Sequence, residues 1–118
     1  GSSDRNIKEN FKPIDHHDIL SKVSSLDISE WNYIADQSDV RHIGPMAQDF
    51  FSAFGVGIDD KHISMVDMDG IALASIKALN HKLDEKESQI DQLKQENQAL
   101  AEKLSRIETL LERLIEEK

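Results

Sequence analysis

The sequence has no cysteine, and it is poor in proline, glycine and aromatic residues. Its 118 residues include two prolines, five glycines, one tryptophan, one tyrosine and four phenylalanines. Without cysteine the chain has neither a disulfide nor a thiolate metal site. No apolar run approaches the roughly 20 residues of a membrane-spanning helix, and the N-terminus lacks a signal-peptide pattern. We therefore expect no membrane partner.

Positive charge is also scarce. The chain has 14 lysines and arginines against 23 aspartates and glutamates, which gives a formal net charge of −9 and an isoelectric point near 4.9. An acidic surface repels the phosphates of nucleic acids, and no cluster of basic residues offsets this repulsion. The composition therefore excludes a nucleic-acid partner.

In the second half of the chain, apolar residues follow a seven-residue repeat. Position a falls on Ile76, Leu83, Ile90, Asn97, Leu104 and Leu111, and position d on Ala72, Leu79, Lys86, Leu93, Leu100, Ile107 and Leu114. No proline or glycine follows Gly70, so the pattern predicts one helix of about 47 residues. A repeat of this length imposes a left-handed supercoil. We expect these positions to form the contact of an oligomer.

Charges beside the repeat predict how the copies are arranged. In a parallel pair, a residue at position g faces the residue at position e five places later on the next chain. Lys82 would then face Glu87, and Lys103 would face Glu108. These attractive pairs favour parallel self-association.

The number of copies stays open on this pattern. Asn97 at a core position is a feature that favours dimers. Leucine at position a in the last heptads favours more chains, and Leu110 and Ile115 widen the apolar stripe in the same sense. Dimer and trimer are therefore equally compatible with the repeat.

The first part of the chain predicts a small mixed head. Residues 1–13 are expected to be extended. Asp15 is a suitable cap for a short helix that ends at Ser24 and Ser25, and strands are predicted over residues 28–34 and 40–44.

A second short helix and a third strand follow. Pro45 suits the first position of a helix, and Gly55 suits its end. Residues 55–61 are predicted to be a loop, residues 63–68 a strand, and Asp69 the N-cap of the long helix. The expected fold is α+β and mainly helical, with an extended segment 1–13, a globular head 14–69 and a coiled-coil helix 70–118.

One pair of residues near the N-terminus suggests chemistry. Ser3 and Lys8 are separated by four residues, and a neutral lysine can serve as the base that activates a serine nucleophile. Spacing alone is weak support, because both residues are common and chain termini are usually disordered.

The five histidines do not predict a metal site. His16 and His17 are expected at a solvated helix start, His81 on the surface of the long helix, and His42 and His62 as packed, hydrogen-bonded residues near strand ends. Residues 67–70 resemble the opening of a calcium loop but lack the closing glutamate. We predict no metal and no cofactor.

Several segments together resemble one family, the C-terminal intramolecular chaperone domain of phage endosialidase tailspikes and tail fibres. Residues 3–11 (S-D-R-N-I-K-E-N-F) are close to the family's opening motif, and residues 41–50 (R-H-I-G-P-M-A-Q-D-F) match its most specific one. Residues 63–79 match the family's strand and the helix that leads into its coiled coil. Met68 departs from the pattern, because an aromatic residue is commoner at that position.

The resemblance implies a homotrimer and a peptidase. Members of the family cut the peptide bond before a serine that corresponds to Ser3, and the lysine that serves as base corresponds to Lys8. The implied cleavage site is the bond between Ser2 and Ser3, and His42 and Gln48 are guesses for polar support. The chain would be the C-terminal part of a longer protein.

The resulting hypothesis is an intramolecular chaperone that trimerises and registers an upstream tail-fibre or tailspike region, then releases itself by autoproteolysis. Its expected location is the phage tail fibre or its precursor in the host cytoplasm, or else a prophage-encoded or bacterial surface protein. A non-catalytic trimerisation module and an adaptor that binds a partner's helix are the alternatives. Cleavage distinguishes the first alternative, and a monomeric chain would favour the second.

Overall fold

The computed structural model describes residues 1–117, which form two compact units, residues 1–79 and residues 80 onward. The elements in chain order are a 3₁₀ turn at Arg5–Ile7, helix α1 (His16–Ser25), strands β1 (Ser29–Trp31) and β2 (His42–Gly44), helix α2 (Ala47–Phe54) and helix α3 (Met65–Glu116). The prediction of a mainly helical α+β chain with a long C-terminal helix is confirmed.

Helix α1 begins and ends as the sequence predicts. The carboxylate of Asp15 accepts a hydrogen bond from the backbone N–H of Asp18 at 3.1 Å, which satisfies one of the free donors at the helix start. Lys22 pairs with Asp18 one turn earlier at 3.1 Å. Leu20 is the buried residue of this helix, so α1 contributes one apolar side chain to the core.

Strands β1 and β2 form an antiparallel pair in which Ser29 lies opposite Gly44 and Trp31 opposite His42. Both strands are shorter than predicted, with three residues each. Residues 38 and 39 form a turn that is closed by a hydrogen bond from the N–H of Val40 to the carbonyl of Gln37, so the second strand starts after that turn.

Helix α2 starts two residues later than Pro45, which was predicted to be its first residue. Met46 is the N-cap, and its carbonyl accepts the helical hydrogen bond from Phe50. The predicted end is confirmed, because Gly55 has a φ of 62°, which glycine adopts without the steric cost of a side chain.

The predicted third strand over residues 63–68 is wrong, and so is the prediction that Asp69 caps the long helix. Helix α3 begins at Met65, and the N–H of Met68 bonds the carbonyl of Ser64. Asp67 lies in the first turn, where a carboxylate interacts favourably with the helix dipole. Residues 65–68 are therefore the first turn of α3 and not a strand.

The core of the first unit is small. Its buried apolar residues are Leu20, Phe50, Ala74 and Ala78, and the ring of Phe50 lies 4.9 Å from that of Phe54. Ser75 is buried beside the two alanines and donates its hydroxyl proton to the carbonyl of Ile71. A core of this size leaves little surplus over the entropic cost of folding.

Gly70 gives a test of this packing. It lies inside α3, and a Cβ added there would meet no atom of its own chain within 4 Å. We expect Gly70→Ala to raise the free energy of unfolding by about 0.5–1 kcal/mol, because alanine loses less conformational entropy in a helix. Urea denaturation of both chains measures the change. A loss of stability would contradict this and would place a group from outside the chain against Gly70.

The second unit is the part of α3 from residue 80 onward. Its apolar heptad side chains are about half exposed, with values from 50% at Ile90 to 61% at Leu100. A single chain therefore leaves the whole stripe in water. The division into residues 1–13, 14–69 and 70–118, the parallel orientation and the number of copies stay predictions.

Candidate active site

The N-terminal segment carries a tight turn that shapes the candidate site. Asp4 caps the 3₁₀ turn, and its carboxylate accepts the backbone N–H of Asn6 at 2.9 Å. The N–H groups of Ile7 and Lys8 bond the carbonyls of Asp4 and Arg5. Asp4 was not predicted from the sequence, although an aspartate just before a turn is a common capping signal.

This turn brings Ser3 and Lys8 together. The Nζ atom of Lys8 donates to the Oγ atom of Ser3 at 2.5 Å. A neutral amine at the same place would instead accept the hydroxyl proton of Ser3. The same contact therefore suits proton transfer from Ser3 to Lys8 and back. Both side chains are exposed in the single chain.

The two residues proposed for polar support lie in different surroundings. The ring of His42 lies 5.1 Å from that of Trp31 and 5.2 Å from that of Tyr33, measured between centroids. Gln48 is exposed in the first turn of α2. The prediction that His42 is a packed residue is therefore supported, since two rings contact it.

Much of the R-H-I-G segment holds the hairpin together. Arg41 donates to the side-chain oxygen of Asn32 at 2.8 Å and to the carbonyl of Glu30 at 3.4 Å. The indole N–H of Trp31 donates to the carbonyl of Gly44 at 3.2 Å. These contacts tie β2 and the residue before it to β1 and the residue after it.

The loop before α3 is stabilised by hydrogen bonds to the carboxylate of Asp59. Its carboxylate accepts the backbone N–H groups of Lys61 and His62 at 2.9 and 3.0 Å, and the Nδ1 atom of His62 lies 3.0 Å from it. The hydrogen bond from Lys61, followed by that from the His62 ring, lowers the pKa of Asp59 below its ordinary value. His62 is thus hydrogen-bonded, as predicted, but its side chain is 81% exposed, so the prediction that it is packed is wrong.

This loop predicts a pH effect. Because the pKa of Asp59 is lowered in the folded chain, its contribution to stability is present above the ordinary carboxyl pKa and is lost as the pH falls through the folded value. An NMR titration of the Asp59 carboxyl should give a lower pKa than the same residue in a peptide of residues 55–64. Equal values in the chain and the peptide would contradict the role of Asp59 in closing the loop.

The remaining histidines lie apart from the Ser3–Lys8 pair in the sequence. His16 is half-buried at the start of α1, and the Nδ1 atom of His81 lies 3.7 Å from Glu85 on α3. Residues 67–70 are helical, which rules out a calcium loop there. Within residues 1–117, no group of three or more histidine or acidic side chains is placed to hold a metal ion.

None of the helices in residues 1–117 is long and apolar enough to cross a membrane. Comparison with curated protein sequences gave no match. A family model described as chaperone of endosialidase, and designated a peptidase family, matches residues 3–56. The match starts at Ser3 and covers both Lys8 and the R-H-I-G segment, and it supports an intramolecular chaperone role. Residues 3–56 of this chain are therefore similar to the chaperone of endosialidase family, and this match supports the resemblance to an intramolecular chaperone domain.

Proposed function

We propose that this chain is a self-cleaving trimerisation chaperone for a region of the same polypeptide that precedes it. Three copies would associate through α3, hold the upstream regions in register, and then cut the bond between Ser2 and Ser3. The observation that carries the proposal is the hydrogen bond between Lys8 and Ser3, at the first residue of the family match.

The chemistry needs these two side chains and one water. Neutral Lys8 takes the hydroxyl proton of Ser3, and the Oγ atom attacks the carbonyl carbon of Ser2. The C–N bond breaks as Lys8 returns the proton to the nitrogen of Ser3, which leaves an ester between Ser2 and the Ser3 side chain. Water hydrolyses the ester to a Ser2 carboxylate and a free Ser3 hydroxyl. Because the attack is intramolecular, proximity supplies much of the rate.

Association of the copies provides a way to activate the Ser3–Lys8 pair. A general base must be neutral, and burial is the common cause that removes the charge of a lysine. Ser3 and Lys8 are both exposed in one chain. We therefore propose that neighbouring copies bury the pair and add the donors that stabilise the oxyanion, so that cutting follows association.

A detachable trimer has a physical use. Intertwined β-structured fibres have high contact order, and their three chains must start in register at a large entropic cost. A trimer at one end supplies alignment and local concentration. Its release only after assembly would leave a mature fibre that is kinetically trapped against unfolding.

The upstream region is proposed to be a tail-fibre or tailspike protein, and the location to be the phage virion or its precursor in the host. A prophage-encoded or bacterial surface protein fits the same chemistry. The family match supports this assignment.

A fusion protein tests the proposal. A folded reporter placed before Ser2 should be released as a separate fragment, with the new N-terminus at Ser3, when the chain forms trimers. Mass spectrometry identifies the bond, and light scattering gives the number of copies. Trimers in which the fusion stays intact would refute the peptidase and favour the alternative, a non-catalytic trimerisation module.

A further inference from the structure

The contact between Ser3 and Lys8 requires the chain to turn between them. Fully extended, the five steps from residue 3 to residue 8 would span about 17 Å between Cα atoms, which is more than a serine and a lysine side chain reach together. Residues 1–15 are all exposed, so packing in the core does not hold this segment in shape. Hydrogen bonds within the segment therefore have to set the distance between the two side chains.

Three hydrogen bonds hold the turn, and two of them end on Asp4. The carboxylate of Asp4 accepts the backbone N–H of Asn6 at 2.9 Å, and its carbonyl accepts that of Ile7 at 3.2 Å. The third bond runs from the N–H of Lys8 to the carbonyl of Arg5 at 3.3 Å. The usual N–H···O distance is about 2.9–3.0 Å, so the bond to the Asp4 side chain is the one with the best length.

The turn is short, which makes its cap important. A 3₁₀ turn has poorer hydrogen-bond geometry than an α-helix, and a single turn fixes several dihedral angles for few hydrogen bonds. The backbone is extended on either side, with φ −63° and ψ 131° at Asp4 and φ −116° and ψ 151° at Lys8. Ser3 and Lys8 thus flank the turn, and its loss would separate them.

We infer that Asp4 is a positioning residue for the proposed cleavage: its carboxylate keeps the turn formed and so holds the Nζ atom of Lys8 against the Oγ atom of Ser3. The inference rests on the proposed function. The reaction needs a hydrogen-bond acceptor at position 4 and not a negative charge, because the Asp4 carboxylate bonds Asn6 while the amine of Lys8 bonds Ser3. Position 4 should therefore accept any residue that caps as well as aspartate.

Substitutions of Asp4 in the reporter fusion test this role. Asp4→Ala removes the acceptor, and loss of a cap lowers the population of a capped turn by about 3- to 30-fold, so cutting should slow by the same factor. Asp4→Asn and Asp4→Ser cap as well as aspartate and should be cut within about twofold of the unaltered rate. Asp4 is exposed, so all these fusions should show the same number of copies by light scattering.

Two further measurements separate positioning from charge. Glu9→Ala removes another exposed carboxylate of the segment, outside the turn, and this fusion should be cut at the normal rate. Across pH, Asp4→Ala should slow cutting by one constant factor, and Asp4→Asn should leave the pH of half-maximal rate unchanged. A carboxylate that acted through its charge would favour the charged form of Lys8, so Asp4→Asn would then move that midpoint to lower pH.

The outcomes separate this inference from the proposed function. If the unaltered fusion and Asp4→Ala are cut equally fast, the positioning role is refuted while the peptidase stands. If Asp4→Asn and Asp4→Ser are as slow as Asp4→Ala, or if the midpoint moves, the capping role is refuted. If the unaltered fusion stays intact in trimers, the peptidase is refuted and the positioning role fails with it. Slow cutting of Asp4→Ala, with normal cutting of Asp4→Asn and Asp4→Ser, supports the inference.

Discussion

Ser3→Ala should abolish release of a reporter fused before Ser2, and Lys8→Ala should slow it by about 10²- to 10⁴-fold. Alanine at position 3 removes the only oxygen that can attack the Ser2 carbonyl in the proposed reaction. Alanine at position 8 removes the base, whose loss typically costs that factor. The fraction of intact fusion, followed over time on a denaturing gel, measures both effects.

Two neighbouring residues are matched controls. Ser2→Ala keeps the scissile carbonyl, and Lys12→Ala removes another exposed lysine of the same segment, so both fusions should be cut at the normal rate. Lys8→Arg keeps a positive charge but cannot become a neutral base, and this fusion should be cut as slowly as Lys8→Ala. Normal cutting of Ser3→Ala in trimers would refute the mechanism.

Leu100→Asp should prevent the copies from associating and, as a result, prevent cutting. Loss of one buried leucine costs about 2–5 kcal/mol of stability. A trimer has three copies of Leu100 in one layer, so their loss weakens the free energy of association by about 6 kcal/mol or more. That is about a ten-thousandfold decrease in the association constant. Three aspartates in the same layer add mutual repulsion. Sedimentation equilibrium measures the association, and the fusion assay measures the cutting.

The control for this variant lies two residues away. Gln98→Asp introduces the same charge at position b, outside the stripe, and should leave both trimer and cleavage unchanged. Leu100 is 61% exposed in one chain, so its replacement leaves the core of the head untouched. Trimers of Leu100→Asp would refute the heptad interface, and cutting by a monomer would refute the link between assembly and cleavage.

Local signals in the sequence predicted most of the head. Asp15 and Gly55 are residues whose own chemistry favours a helix start and a helix end, and the structure has both ends where they were expected. The prediction of a third strand over residues 63–68 failed because it ignored the helix start beside it. Ser64 followed by Asp67 three residues later is the spacing of a capping box, and it was the signal that would have placed the start of α3 correctly.

Only part of the candidate site could be predicted from the sequence. The motif indicated Ser3 and Lys8, but the contact between them depends on the turn that Asp4 caps. The contacts of His42 with Trp31 and Tyr33 depend on the strand register, which residue types alone do not fix. In the proposed trimer, burial of the pair would depend on how neighbouring copies are placed, which residue types alone do not give.

Helix α3 has a buried side at Ala74 and Ala78 and an exposed apolar heptad stripe, and the two differ in how they would be covered as the protein matures. Covering Ala74 and Ala78 needs only one polypeptide, so that step proceeds equally well at any dilution. In the proposed trimer, covering the heptad stripe would need encounters between polypeptides, so its rate would rise with the local concentration of newly made chains. Polypeptides released together from neighbouring ribosomes on one message would complete the second step fastest. Isolated polypeptides would keep an exposed apolar surface that promotes aggregation.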